Sequence, residues 1–81
     1  FSGGAICNFN YESYKLIFSP LEEILLLKII IKDDNQNILI TTQFDNLKPN
    51  LRYFIYVPNN PTKIIIEGYD EFDNLISLKL I

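Results

Sequence analysis

Two stretches written in the same grammar decide how this chain folds: KIIIKDDNQNILI, residues 28–40, and KIIIEGYDEFDNLISL, residues 63–78. Each carries three consecutive isoleucines, then an acidic, asparagine-rich break, then a second apolar run. β-Branched residues in short runs favour strands, and Asp and Asn supply the side-chain hydrogen bonds and positive φ that hairpin turns require. The breaks read as the corners of two similar hairpins. The competing reading is calcium, because Asp33, Asn35 and Asn37, and likewise Asp70 and Asp73, set oxygen atoms at usable intervals. Neither stretch has the glycine and terminal bidentate glutamate of an EF-hand loop, so the turn reading is preferred.

The other apolar segments are equally short and bounded by turn residues. AICNF (5–9) and YKLIF (14–18) come first, closed by Ser19-Pro20. EILLLKIIIK (23–32) and NILITTQF (37–44) flank the first break, and LRYFIYV (51–57) follows Lys48-Pro49-Asn50. TKIIIEGY (62–69) and NLISLKLI (74–81) flank the second, after Pro58-Asn59-Asn60-Pro61. Short strands spaced about 8–12 residues apart are the pattern of an all-β sandwich or barrel. The one helical possibility, Pro20 to Leu27, lacks a cap and runs into Ile29, Ile30 and Ile31, so a strand is expected there.

Alternation assigns faces within each strand. Leu25, Leu27, Ile29 and Ile31 should face the core, leaving Leu26 and Ile30 with Lys28 and Lys32 on the other side. Leu51, Tyr53, Ile55 and Val57 alternate with Arg52, Phe54 and Tyr56. A two-layer sandwich buries one face of each sheet, so Leu26, Ile30, Phe54, Tyr56 and Ile65 are left over as outward-facing apolar residues. With Arg52 they form a candidate interface, because aromatic residues and arginine are enriched where proteins meet. The alternative is that a loop or neighbouring sheet covers them as ordinary core.

At 81 residues the chain holds a single domain, expected to be a fragment or module of a larger protein because it begins at Phe1. So short a chain buries only roughly 60% of its unfolded surface. Yet 48% of its residues are hydrophobic and 14% aromatic, more apolar surface than one small core needs to cover. A net charge of −3 with scattered basic residues argues against nucleic acid. No apolar run approaches the roughly 20 residues that insert into a bilayer.

LKPNLRY, Leu47 to Tyr53, has the form Leu-x-Pro-x-x-x-Tyr ahead of an alternating strand. It resembles the tyrosine corner of fibronectin type III and related immunoglobulin-like domains, where a tyrosine hydroxyl bonds to upstream backbone and pins an inter-sheet crossover. The resemblance implies Leu47 as core anchor, Pro49 as turn former and Tyr53 as the corner. YVPNNPTKIIIEGYDEFDNL, residues 56–75, is similar to the closing strands of immunoglobulin-like modules in extracellular adhesion proteins, including hemicentin-type proteins. It also resembles transthyretin-like and carboxypeptidase-regulatory sandwiches. Both resemblances imply an extracellular accessory or structural module.

Catalytic chemistry finds little here. The chain has no histidine to activate Cys7 or to join it on a metal. Cys7, in register with Ala5 and Phe9, reads as a buried free thiol, with a disulfide to another chain as the alternative. Asn60-Pro61-Thr62 imitates a glycosylation sequon, and its central proline disqualifies it. The expectation is a seven-stranded antiparallel immunoglobulin or fibronectin type III-like β-sandwich. It is read as a non-enzymatic adhesion or interaction module, extracellular or on the cell surface, without a cofactor. Its partners are expected to be identical copies or adjacent domains of the parent chain. The alternatives are a carbohydrate- or calcium-binding module and an accessory domain of a secreted enzyme.

Overall fold

The structure, a computed structural model, describes residues 6–81, so Ala5 lies outside the described residues. Its strands are β1 (Cys7–Glu12), β2 (Lys15–Pro20), β3 (Ile24–Asp33), β4 (Ile38–Leu47), β5 (Tyr53–Tyr56), β6 (Ile64–Tyr69) and β7 (Leu75–Leu80). All pair antiparallel, in a three-stranded sheet of order β1-β2-β5 and a four-stranded sheet of order β4-β3-β6-β7. The fold is the all-β sandwich expected from the short apolar runs. Ile24 opens β3 as a strand, not a helix.

The two quoted stretches are the hairpins β3–β4 and β6–β7, and their corners are built alike. The Asp33 carboxylate accepts the backbone N–H of Asn35 and of Asn37, both at 2.9 Å, and the Asn37 side-chain amide at 3.1 Å. The Asp70 carboxylate accepts Phe72 N–H and Asn74 N–H, both at 2.9 Å, and the Asn74 amide at 3.3 Å. Gln36 (φ 69°) and Asp73 (φ 63°) take the left-handed conformation at equivalent places. The carboxylates thus stand in for backbone acceptors that a tight corner cannot supply.

The likeness extends into the strands. The shift along the chain that carries Asp33 to Asp70 also carries the buried Leu27 and Ile29 onto the buried Ile64 and Ile66. It carries the register irregularity at Ile31/Lys32 onto the one at Gly68/Tyr69. Ile30 pairs with Glu67, and the same shift exchanges them, so an approximate two-fold axis passes through that pair at the middle of the sheet.

Between the sheets, Cys7, Leu16, Phe18 and Ile55 from one side meet Leu27, Ile29, Ile31, Ile64 and Ile66 from the other. Phe18 stacks on Tyr53 at 5.5 Å and meets Phe44 edge-on at 5.3 Å, which locks the layers together. Gly68 leaves room there: a Cβ on it would come within 3.1 Å of both Leu27 and Ser77. Cys7 is buried, as read from the sequence, and is the one cysteine of the chain.

After β4 the chain leaves the four-stranded sheet and enters the three-stranded one, and LKPNLRY makes that crossing. Leu47 is fully buried. Pro49 and Asn50 (φ 68°) meet the requirements of the central pair of a type II turn. The Tyr53 hydroxyl accepts the Lys48 N–H at 3.0 Å, so the upstream partner is a backbone donor. The corner precedes the fifth strand, whereas the immunoglobulin corner precedes the sixth. The fourth strand also differs: it pairs with β3, where constant-type immunoglobulin domains set it beside the fifth.

Two face assignments are corrected. Leu25 is 68% exposed, and Ile24 takes its place in the core. Ile24 pairs with Leu47 and Leu26 with Asp45; between them Asn46 sits at φ 53°, a left-handed residue that twists the ladder and breaks alternation. Leu51 is 51% exposed because β5 begins only at Tyr53, leaving Leu51 in the turn region where strand parity does not apply.

Candidate functional site

The register of the three-stranded sheet assembles one surface that no single strand reveals. On its outer side Asn10 pairs with Ile17 and Ile17 with Phe54; Glu12 pairs with Lys15 and Lys15 with Tyr56. Asn8 and Ser19 continue the pattern toward Arg52. The face grades from a polar column on β1, through Lys15 and Ile17 on β2, to an aromatic column on β5.

Phe54 and Tyr56 are 54% and 65% exposed, so no loop among the described residues covers them. They pack edge to face, with ring centroids 5.3 Å apart and planes at 83°. The Lys15 ammonium lies 5.9 Å from the Phe54 ring centre, within reach of a cation–π attraction. Arg52 and Ile17 line two adjoining shallow depressions, one floored by Phe54 and the other by Asn8 and Asn10. Among the described residues β5 is the edge of this sheet, so the aromatic pair stands at a rim that a flat partner can approach.

The six residues named from the sequence do not form one patch. Arg52, Phe54 and Tyr56 lie on this outer face. Leu26, Ile30 and Ile65 lie on the outer face of the four-stranded sheet, across the thickness of the sandwich, and are only half-exposed. Their surroundings explain the difference. Lys32 donates to Glu67 at 3.1 Å, Tyr69 donates to Glu67 at 2.9 Å, and Lys28 reaches Asp73 at 2.7 Å, so charged side chains lie along the isoleucines. Sequence reasoning missed Leu78 and Leu80, 45% and 69% exposed beside Ile65 on β7, and the contribution of Lys15 and Ile17 to the aromatic face. Strand alternation marks them as outward. Only strand pairing shows which neighbours they keep.

Leu47, Pro49 and Tyr53 serve the crossover and carry no chemistry. Burial pushes the Cys7 thiol up to about 11, so it stays protonated and inert as a nucleophile at neutral pH. Asp33 is held below the ordinary carboxylate range chiefly by the backbone and side-chain hydrogen bonds from Asn37. Asp70 is lowered likewise, first by the backbone hydrogen bond from Asn74. Their oxygen atoms are already engaged by the corners they form. Among the described residues no helix is long and apolar enough to cross a membrane.

No protein-family model matches the chain, and neither does any curated protein.

Proposed function

We propose that this chain is a non-enzymatic structural or adhesion module that binds protein through the outer face of its three-stranded sheet. The reading places it among immunoglobulin-like and fibronectin type III-like modules of extracellular or cell-surface assemblies. The two-sheet antiparallel architecture supports that kinship. The observation that carries the function is the exposed Phe54–Tyr56 pair, flanked by Lys15 and Arg52. Tyrosine and arginine are the residue types that dominate binding hot spots, and an edge-to-face aromatic pair loses little side-chain entropy when a partner covers it. The expected occupants are identical copies or adjacent domains of the parent chain.

Sedimentation equilibrium tests the reading with the simplest of these partners. The chain should self-associate, and Phe54→Ser with Tyr56→Ser should weaken association while keeping the thermal midpoint, since both side chains lie outside the core. Assemblies of unchanged mass in that folded variant overturn the proposal.

A further inference from the structure

A second surface follows from the way the four sheet edges differ. An edge strand presents unpaired N–H and C=O groups, and proteins guard such edges with charges, prolines, inward-facing lysines or brevity. β7 is guarded by Lys79, which pairs with the inward-facing Ile66 and so sets a charge on the inner side of that edge. β5 runs four residues, with Pro58 close behind. β1 carries the exposed charge of Glu12. β4 has a register irregularity near its start and Asp45 near its end, and none of these devices between them. It runs ten residues, pairs only with β3 among the described residues, and is uncharged from Ile38 to Phe44. The segment ILITTQF combines high β-propensity, no charge, no proline and no glycine, which is the composition that adds strand to strand.

We propose that β4 pairs antiparallel with β4 of a second copy, joining two four-stranded sheets into one continuous sheet. The regular part of the strand lies between the irregularity that separates Ile40 from Ile38 and the left-handed Asn46. Its outermost inward-facing residues are Ile40 and Phe44, and Thr42 lies midway between them. A two-fold axis there sets Ile40 opposite the partner's Phe44 and Thr41 opposite the partner's Gln43. Ile40 and Phe44 pair with Ile31 and Leu27 across β3, so they face inward and are half-buried already. In the pair each gains an apolar neighbour and extends the core across the junction. Thr41 and Gln43 face outward and are exposed. No like charges meet in this register, so the edge is compatible with itself, and an isologous contact about a two-fold closes after two copies. The surface is separate from the β5 face and does not depend on its role.

The experiment uses the Phe54→Ser/Tyr56→Ser chain, so that association through the β5 face is not counted. Sedimentation equilibrium of this variant should show a dimer, and the exchange of β4 backbone amides should slow as concentration rises. Adding Thr41→Lys and Gln43→Lys sets two pairs of like charges across the axis and should weaken the dimer on the order of tenfold. Adding Thr41→Lys and Gln43→Glu instead sets opposite charges across it and should restore the dimer. A monomer in the starting variant overturns the proposal. So does equal weakening by the two charge combinations, since only an antiparallel register centred on Thr42 distinguishes them.

Discussion

The Tyr53 hydroxyl accepts the backbone N–H of Lys48 at 3.0 Å, across the turn where the chain passes from one sheet to the other. The Tyr53 ring meanwhile stacks on Phe18 and meets Phe44 edge-on at 6.1 Å. One side chain therefore ties the crossover to the core twice, by its tip and by its ring. Tyr53→Phe keeps the ring and leaves Lys48 N–H to water. It should cost about 0.5–1.5 kcal/mol, the worth of a typical hydrogen bond. Thermal unfolding followed by circular dichroism checks it. An unchanged midpoint means that the hydroxyl does not pin the crossover.

Asn60 does for the β1–β2 turn what Tyr53 does for the crossover. Its side-chain oxygen accepts the Tyr11 hydroxyl at 2.9 Å and the Tyr14 N–H at 3.0 Å, while Val57 N–H donates to the Tyr14 carbonyl at 2.7 Å. These bonds hold Tyr14 at φ 64°, a left-handed conformation that costs a residue with a Cβ about 1 kcal/mol. Two substitutions should then move stability in opposite directions. Asn60→Ala should lower it by roughly 1–2 kcal/mol through two lost hydrogen bonds. Tyr14→Gly should raise it by about 1 kcal/mol, since the side chain is mostly exposed and only the strain is removed. Denaturant titration of both variants tests the pair, and destabilisation by Tyr14→Gly contradicts the strain argument.

The two corner aspartates predict a dependence on acid. Hydrogen bonds from Asn37 and Asn74 lower the folded-state values of Asp33 and Asp70, so folding favours their ionised forms. That contribution is complete above the unfolded value of about 3.9 and is lost as pH falls through the lower folded values. Replacing both with asparagine should flatten the fall in stability below that pH. Asp33→Asn and Asp70→Asn should act alike, because the corners are equivalent. An unchanged acid limb in the double variant contradicts the assignment.

With those oxygen atoms engaged by loop N–H groups, millimolar calcium should leave the thermal midpoint where it is, since a ligand stabilises only when its concentration exceeds the dissociation constant. A saturable upward shift that disappears in Asp70→Ala with Asp73→Ala would restore the calcium reading.

Much of this was legible in the residues themselves. The isoleucine runs and the Asp-to-Asn breaks specified strands and corners, and LKPNLRY specified the crossover, because each depends on chemistry within a few positions. Partner choice was not legible. Alternation told that Phe54 and Ile65 face outward, but sheet membership depends on which strands pair, and pairing set them on opposite sides of the molecule. Leu25 escaped for a similar reason: the residue that turns it to solvent is Asn46, across the ladder on another strand.

The proposal that the outer face of the three-stranded sheet binds protein can be tested on that face itself. An NMR dilution series on the unmutated chain reads that face directly, residue by residue. Concentration-dependent shifts are expected at Lys15, Ile17, Arg52, Phe54 and Tyr56, beyond any change along β4. Resonances of those five residues that stay fixed while the chain self-associates, or a chain that stays monomeric throughout, would contradict the proposal.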